Sequence, residues 1–264
     1  MRHAVFVPPF GPLADPGRLL ELAAATEEHG WDGLFLWDHV MRRDPAVPVL
    51  DPWVAFGAIA SVTERIRIGP MVTPIIRRRL IKLVREIVTV DALSSGRLVL
   101  GLGLGVDTSG ELSRFGEVLD PVERGAMLDE GIPVLAAMLE GDDVVHVGEH
   151  FTVDGVRISP RPVQQPRPPF WFAARGDARK PVRRAARYEG IFPIEMDAAR
   201  YERMIETIVA ERGSLDGFDI AVRAEPGEAP PSYVEGTATW TLQSWPEIVD
   251  PEKLMESVVA GPPG

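Results

Sequence analysis

Strand-like and helix-like segments alternate along almost the whole chain, and few folds satisfy such an alternation. The apolar run 4–7 is followed by a proline-rich loop and an amphipathic stretch over 16–28. Gly30 closes that helix, and 33–37 reads as a second strand ending in Asp38 and His39. A loop holding Pro45 and Pro48 leads to Asp51-Pro52, a side-chain cap with proline in the first helical turn, and the helix runs to about residue 63. A third strand over 66–72 stops at Thr73-Pro74.

The stretch 85–105 shows the repeating unit most plainly. Ile87, Val88, Val90, Ala92 and Leu93 recur as one buried face of a helix, Ser94-Ser95-Gly96 ends it, and an apolar strand beginning at Arg97 runs into Gly101, Gly103 and Gly105. A strand without polar alternation is covered on both faces, as in a parallel sheet. Its glycines leave the far end bare, so that a ligand or a neighbouring backbone can approach closely.

The alternation continues with a helix over 121–140. It breaks over 142–169, where the short runs 144–147 and 151–153 read as a hairpin within a proline-rich excursion. Strand and helix then return as 170–174 with 178–188, and as 191–194 with 198–212. A strand over 218–224 precedes a slot in which Pro226, Gly227, Pro230 and Pro231 leave room for two helical turns at most. A last strand, 238–242, and a short helix, 252–259, finish the series. Eight strand–helix pairs in one domain over residues 1–264 predict a (β/α)8 TIM barrel of the α/β class, and an open doubly wound sheet is the runner-up.

Composition removes several function classes. A net charge of −11 speaks against nucleic acid, which calls for a basic stripe. The absence of cysteine removes disulfides, thiol nucleophiles and thiolate metal sites. No apolar stretch reaches membrane-spanning length and no cleavable signal pattern precedes the first strand, so a cytoplasmic protein without a membrane partner is expected. His146 and His150 have the spacing of a helical metal pair, but Gly148 lies between them in the expected hairpin and no third ligand follows, so no metal is expected.

In a barrel the active site lies at the C-terminal ends of the strands. His39 follows an apolar strand with Asp38 beside it and could serve as a general base or bond to a bound ring, against a structural histidine packed under its loop. Arg175-Gly176-Asp177 sits where backbone N–H groups and a guanidinium suit a phosphate, against an ordinary helix capped by Asp177. The glycine run is G-x-G-x-G with no helix directly after it, so it suits a flat ring better than a dinucleotide. Arg77-Arg78-Arg79 reads as a solvated helix start or as a rim for an anionic tail.

Residues 31–39 (WDGLFLWDH), 68–74 (IGPMVTP), 95–105 (SGRLVLGLGLG), 148–151 (GEHF) and 260–263 (AGPP) together resemble the bacterial luciferase-like monooxygenases. The resemblance implies a barrel that binds FMN or the deazaflavin coenzyme F-420, its ring across the strand ends. It implies catalytic roles for Asp38 and His39, which are similar to the pair in deazaflavin-dependent members. It also implies a non-prolyl cis peptide near Met71-Val72 behind the ring, with Thr73, Gly103 and Gly105 alongside, and phosphate contacts at Arg175, Gly176, Asp177, Ile194 and Glu195. One departure stands out: deazaflavin-dependent sugar-phosphate dehydrogenases carry a glutamate directly after the glycine strand. Val106 takes that place here, and Asp107 is one residue out of register.

The expected activity is therefore hydride transfer at C5 of a deazaflavin, to or from a small organic substrate. The alternative is oxygen activation at C4a of reduced FMN with a separate flavin reductase. Phe10, Trp37, Asp107 and Trp245 are expected to frame the substrate pocket, and a homodimer goes with the resemblance. Two rivals remain, a flavin-binding protein without catalysis and a cofactor-free lyase using Glu195, Glu225 or His39.

Overall fold

The computed structural model describes residues 1–42 and 47–263, so Pro45 of the second loop lies outside the described residues. Nine parallel strands form one nearly closed barrel. In chain order they are β1 (Arg2–Val7), β2 (Gly33–Leu36), β3 (Arg67–Pro70), β4 (Thr73–Pro74), β5 (Leu100–Gly103), β8 (Phe170–Arg175), β9 (Gly190–Ile194), β10 (Asp219–Ala224) and β11 (Trp240–Ser244). The antiparallel pair β6 (Val144–Val147) and β7 (Thr152–Val156) forms the expected hairpin outside it. The helices are α1 (Pro16–Glu28), α2 (Pro52–Val62), α3 (Leu80–Leu93), α4 (Pro121–Glu140), α5 (Arg179–Ala185), α6 (Ala198–Arg212) and α7 (Pro251–Val259).

Local chemistry starts the helices. Asp15, Asp51, Asp120, Asp197 and Asp250 each accept a backbone N–H of the first turn, and all but Asp197 are followed by a proline in that turn. Strand order follows chain order from β1 through β2 to β3 and from β4 through β5, β8, β9 and β10 to β11, which returns to β1. The expected 66–72 strand shortens to β3, a cis peptide bond between Met71 and Val72 follows it, and Thr73-Pro74, expected to stop the strand, forms the short β4 instead. A parallel bridge between Ile68 and Leu98 closes the barrel across that gap. The closure needs glycine: a Cβ on Gly69 would lie 1.9 Å from the Val99 carbonyl oxygen, and one on Gly101 2.2 Å from that of Pro70.

Alternation along each strand divides the core in two. Val5, Leu34, Leu36, Ile68, Phe170, Phe172 and Ile220 face outward and pack under the helices. Ala4, Phe6, Phe35, Trp171, Phe192 and Trp240 face inward. Phe35, Trp171 and Trp240 pack with ring centroids 5.6–5.9 Å apart and plug the lower barrel. Any cavity must therefore open at the opposite end, above Phe6 and Phe192.

Two further expected elements change, and the slot after β10 is as short as expected. The helix expected over 178–188 is only Arg179–Ala185, because the chain must turn by Gly190, where a side chain would collide with the Trp171 indole. The last strand starts at Trp240 rather than residue 238, which brings Ser244 to its end. Between β10 and β11 only a 3-10 turn, Ser232–Val234, forms. The Gln243 side chain takes over the covering task, accepting the Gly227 N–H at 2.7 Å and donating to the Glu228 carbonyl at 2.9 Å.

Candidate active site

A cavity of about 480 Å3 opens at the C-terminal end of the strands. Its apolar walls come from Phe6, Trp37, Met71, Val72, Leu104, Val106, Ala173, Phe192 and Ile194. Its polar lining is mainly cationic, from Arg42, Arg77, Arg175, Arg184 and Arg223, with His39, Asp38 and Glu111.

His39 stands just beyond the end of β2, edge-on to Phe10 at 5.6 Å. Its Nδ1 lies 2.8 Å from Glu111 Oε2, which leaves Nε2 for a ligand in the cavity. Glu111 is buried; its other oxygen accepts the Val40 and Met41 N–H groups at 2.8 and 3.2 Å, and Arg77 Nη1 approaches Oε2 at 3.2 Å. Burial works to raise the Glu111 carboxyl, but the His39 hydrogen bond and charge, Arg77 and the Met41 N–H outweigh it and hold it below the ordinary value. A charged carboxylate fixed at Nδ1 sets which ring nitrogen faces the cavity.

Sequence reasoning missed Glu111. It lies in an irregular loop, and no periodicity marks it. Asp107, expected in the substrate pocket, explains how it arrives: its carboxylate accepts the Leu112 and Ser113 N–H groups at 2.7 and 3.1 Å and folds the loop back toward His39. Those backbone bonds lower the Asp107 pKa, the Leu112 bond most.

Asp38, expected as a catalytic partner of His39, is committed elsewhere. Its buried carboxylate accepts from Thr73 Oγ1 at 2.6 Å, Arg77 Nη2 at 2.6 Å, Arg78 Nη2 at 2.9 Å and Trp53 Nε1 at 3.3 Å. These donors occupy its lone pairs, so it ties β2 to the start of α3. Thr73, expected beside the cofactor, points into the same network and is fully buried. Arg77 and Arg78 are neither a solvated helix start nor a free rim, because both are ion-paired to Asp38.

Met71 and Val72, joined by the non-prolyl cis bond that the resemblance implies, line the cavity. The glycines opposite serve them first. A Cβ on Gly103 would lie 2.5 Å from Val72 Cγ2, and one on Gly105 2.9 Å from Pro74 Cγ. Of the two readings of the glycine strand, close approach by a neighbouring segment is thus seen directly.

Of the expected phosphate contacts, Arg175 and Ile194 line the cavity. Gly176 and Asp177 border a separate groove between α5 and α6, where Asp177 bonds to Arg200 and Arg203 instead of capping α5. Glu195 adopts φ +57° and, with Glu225, borders another hollow beside Tyr201 and Tyr233. The bases of the lyase rival are therefore split between that hollow and His39. Phe10 lies buried behind His39 and Trp37 rather than on the cavity wall. Trp245 packs against Trp31 in the outer shell, because alternation along β11 turns Trp240 and Leu242 inward and Trp245 outward. Trp37 does line the cavity, and its indole N–H has no acceptor among the described residues. His146 bonds to Glu130, whose carboxylate also accepts the His150 and Phe151 N–H groups and so fastens the hairpin to α4.

A family model described as luciferase-like monooxygenase matches residues 1–226. The chain belongs to that family. It is 32% identical over 167 residues to an F420-dependent glucose-6-phosphate dehydrogenase of Nakamurella multipartita, a match covering 62% of this chain and 48% of that protein. The chain thus spans about half the length of the curated relatives it matches first. An F420-dependent secondary alcohol dehydrogenase, solved with an F420-acetone adduct, superposes with TM-score 0.74 at 19% identity over 97% of this chain and 81% of its own. A monooxygenase from Streptomyces bottropensis superposes with TM-score 0.72 at 22% identity over 85% of this chain and 71% of its own. At these identities the two structures establish the shared barrel. By their names, the dehydrogenase of N. multipartita and the secondary alcohol dehydrogenase are F420-dependent.

The cavity fits such a cofactor. Apolar walls suit a flat ring, and the unpartnered Trp37 N–H offers a donor to a ring carbonyl. Arg175 and Arg184 on the α5 side suit a phosphate.

Proposed function

We propose that the chain is a cytoplasmic oxidoreductase that uses coenzyme F-420 for hydride transfer to or from a small organic substrate. The observation that carries the reading is the buried Glu111 carboxylate fixing His39 at the wall of an apolar cavity. Names among the relatives support it, since both the dehydrogenase of N. multipartita and the secondary alcohol dehydrogenase are F420-dependent. When bound, the deazaflavin supplies or receives the hydride at C5.

Everything else falls to the protein. In the oxidative direction the hydroxyl proton of the substrate passes to His39 Nε2 as the hydride leaves carbon, and in the reductive direction it returns. Glu111 holds the imidazole in the orientation that makes this possible, and Arg77 keeps the carboxylate charged. Leu104 and Val106 add apolar wall on one side of the cavity. With Val106 where sugar-phosphate dehydrogenases carry their glutamate, His39 is the acid–base group and sugar oxidation by that mechanism is not expected.

The test is a fluorescence titration of the protein with F-420 and, separately, with FMN. Micromolar or tighter binding of F-420 is expected, and His39→Ala should cut turnover about 100-fold or more with little loss of cofactor affinity. Preference for FMN would turn the reading to oxygen insertion with a separate reductase. Tight binding with no turnover of any donor would leave a flavin-binding protein, and no binding of either would remove the cofactor.

A further inference from the structure

Five guanidinium groups line the cavity, and four are matched by carboxylates. Arg42 pairs with Glu247, Arg77 with Asp38 and Glu111, Arg175 with Glu195 and Arg184 with Asp129. Arg223 makes no ion pair among the described residues. Its Nη2 donates to the Ser244 hydroxyl at 2.8 Å.

Arg223 is held in the cavity by strand geometry. Alternation along β10 turns Ala221 into the barrel core, and Arg223, two residues on, comes out at the cavity above it. Ser244 ends the neighbouring strand β11 and is paired in register with Phe6. Phe6 in turn meets Phe192 edge-on at 5.7 Å and Trp37 at 5.8 Å. A cation without an ion-pair partner among the described residues therefore borders the cavity beside its aromatic floor; Arg223 is exposed as a residue and also borders the hollow that holds Glu195 and Glu225. Burial opposes its charge, Arg175 opposes it further, and Glu225 and Glu195 offset this only from beyond ion-pair distance.

We propose that Arg223 is a specificity-determining residue that selects a carboxylate-bearing organic substrate, seating the carboxylate against its guanidinium beside Ser244 and the apolar part on Phe6 and Phe192. The planar fork of guanidinium donors matches the two oxygens of a carboxylate. A monoanion also matches the charge available. A phosphate monoester would call for a second cation beside Arg223, and Arg175, the cation that acts on Arg223, is the one that with Arg184 suits a cofactor phosphate. The proposal deepens the hydride-transfer reading and rests on it for the word substrate, while the anion site itself stands on the cavity alone.

The test compares benzoate with its neutral isostere benzamide by calorimetric titration of the wild-type protein and of Arg223→Gln, Arg223→Lys and Arg175→Gln. Benzoate should bind wild type about 10- to 100-fold more tightly than benzamide, the range for a charge-assisted contact in a partly dry site. Arg223→Gln should abolish the preference. Arg223→Lys should keep part of it, because the charge remains and the fork is lost. Arg175→Gln should keep it whole. Equal binding of the two probes, no detectable benzoate binding, or a preference that survives Arg223→Gln in a protein that melts like wild type would each overturn the proposal. A parallel F-420 titration separates the two readings. If Arg223→Gln weakens F-420 and spares benzoate, the guanidinium serves the cofactor and the proposal falls. If the benzoate preference holds while wild type binds no F-420, the anion site stands and the hydride-transfer reading falls.

Discussion

At the scale of single residues the site turns on a division of labour that the sequence order conceals. Asp38 and His39 are neighbours in the chain, yet Asp38 turns away to Thr73, Arg77 and Arg78, while His39 takes its carboxylate from Glu111, seventy-two residues on. Replacing Glu111 with Gln keeps a hydrogen-bond partner for Nδ1 but removes the charge. Turnover is expected to fall about 10-fold or more, short of the loss caused by His39→Ala, with cofactor affinity nearly unchanged. The pH dependence has a definite sign. A carboxyl held below its ordinary value of 4.5 contributes stability that is complete above that value and is lost as pH falls through the lower folded value. The part of the stability difference between wild type and Glu111→Gln that comes from the Glu111 carboxyl should therefore be present at about pH 5 and be lost as pH falls below that, as read by urea titrations across the acid range. A difference that does not shrink as the carboxyl is protonated would contradict the lowered value. His39 was legible in the sequence because strand ends in a barrel collect chemistry. Glu111 was not, because its position depends on a loop fold set by Asp107 and by backbone N–H groups.

At the scale of elements the glycine strand and the shortened third strand form one device. The sequence left open whether the bare glycines admit a ligand or a neighbouring backbone, and the packing answers differently at two positions. Gly101 faces the backbone of Pro70, where a Cβ would meet the carbonyl oxygen at 2.2 Å, whereas Gly103 faces a single methyl group of Val72 at 2.5 Å. A backbone oxygen in a closed barrel has nowhere to go, but a valine on a cavity wall can rotate into the open space. Gly101→Ala should accordingly cost about 1–3 kcal/mol or more in thermal or urea unfolding, the range for overpacking a tight core. Gly103→Ala should cost less stability and instead push Val72 into the cavity, weakening ligand binding. Equal stability losses with unchanged ligand affinity would refute the assignment. The stretch 66–72 reads as one strand because Ile66, Ile68, Met71 and Val72 are apolar, while Gly69-Pro70, just before the break, is its one local breaker signal.

At the scale of the whole molecule the eightfold alternation was enough to give the barrel, because four of the seven described helices carry Asp-Pro caps at their starts and apolar runs mark the strands between them. What it could not give was the loop layer above the strands, where side chains meet across long separations. The helical shell shows one further feature with a consequence. Val54 and Val62 on α2 and Ile81 and Leu93 on α3 are exposed, Val54 at 76%, and α2 and α3 pack side by side, with Leu93 Cδ1 reaching to 3.7 Å from where a Cβ on Gly57 would stand. Large apolar side chains gathered on adjacent helices form the kind of patch that an oligomer covers. We expect this face to meet the same face of a second copy, the isologous arrangement of a two-fold dimer. Net charge works against the pairing, since each copy carries −11. Salt should then tighten the dimer by screening that repulsion over the Debye length of about 10 Å at 0.1 M. Sedimentation velocity should show a dimer that strengthens from low to moderate salt. Val54→Glu and Leu93→Glu should each shift it toward monomer while leaving the melting temperature of the barrel nearly unchanged. A protein that stays monomeric at high concentration and moderate salt would show that the exposed face is left to solvent.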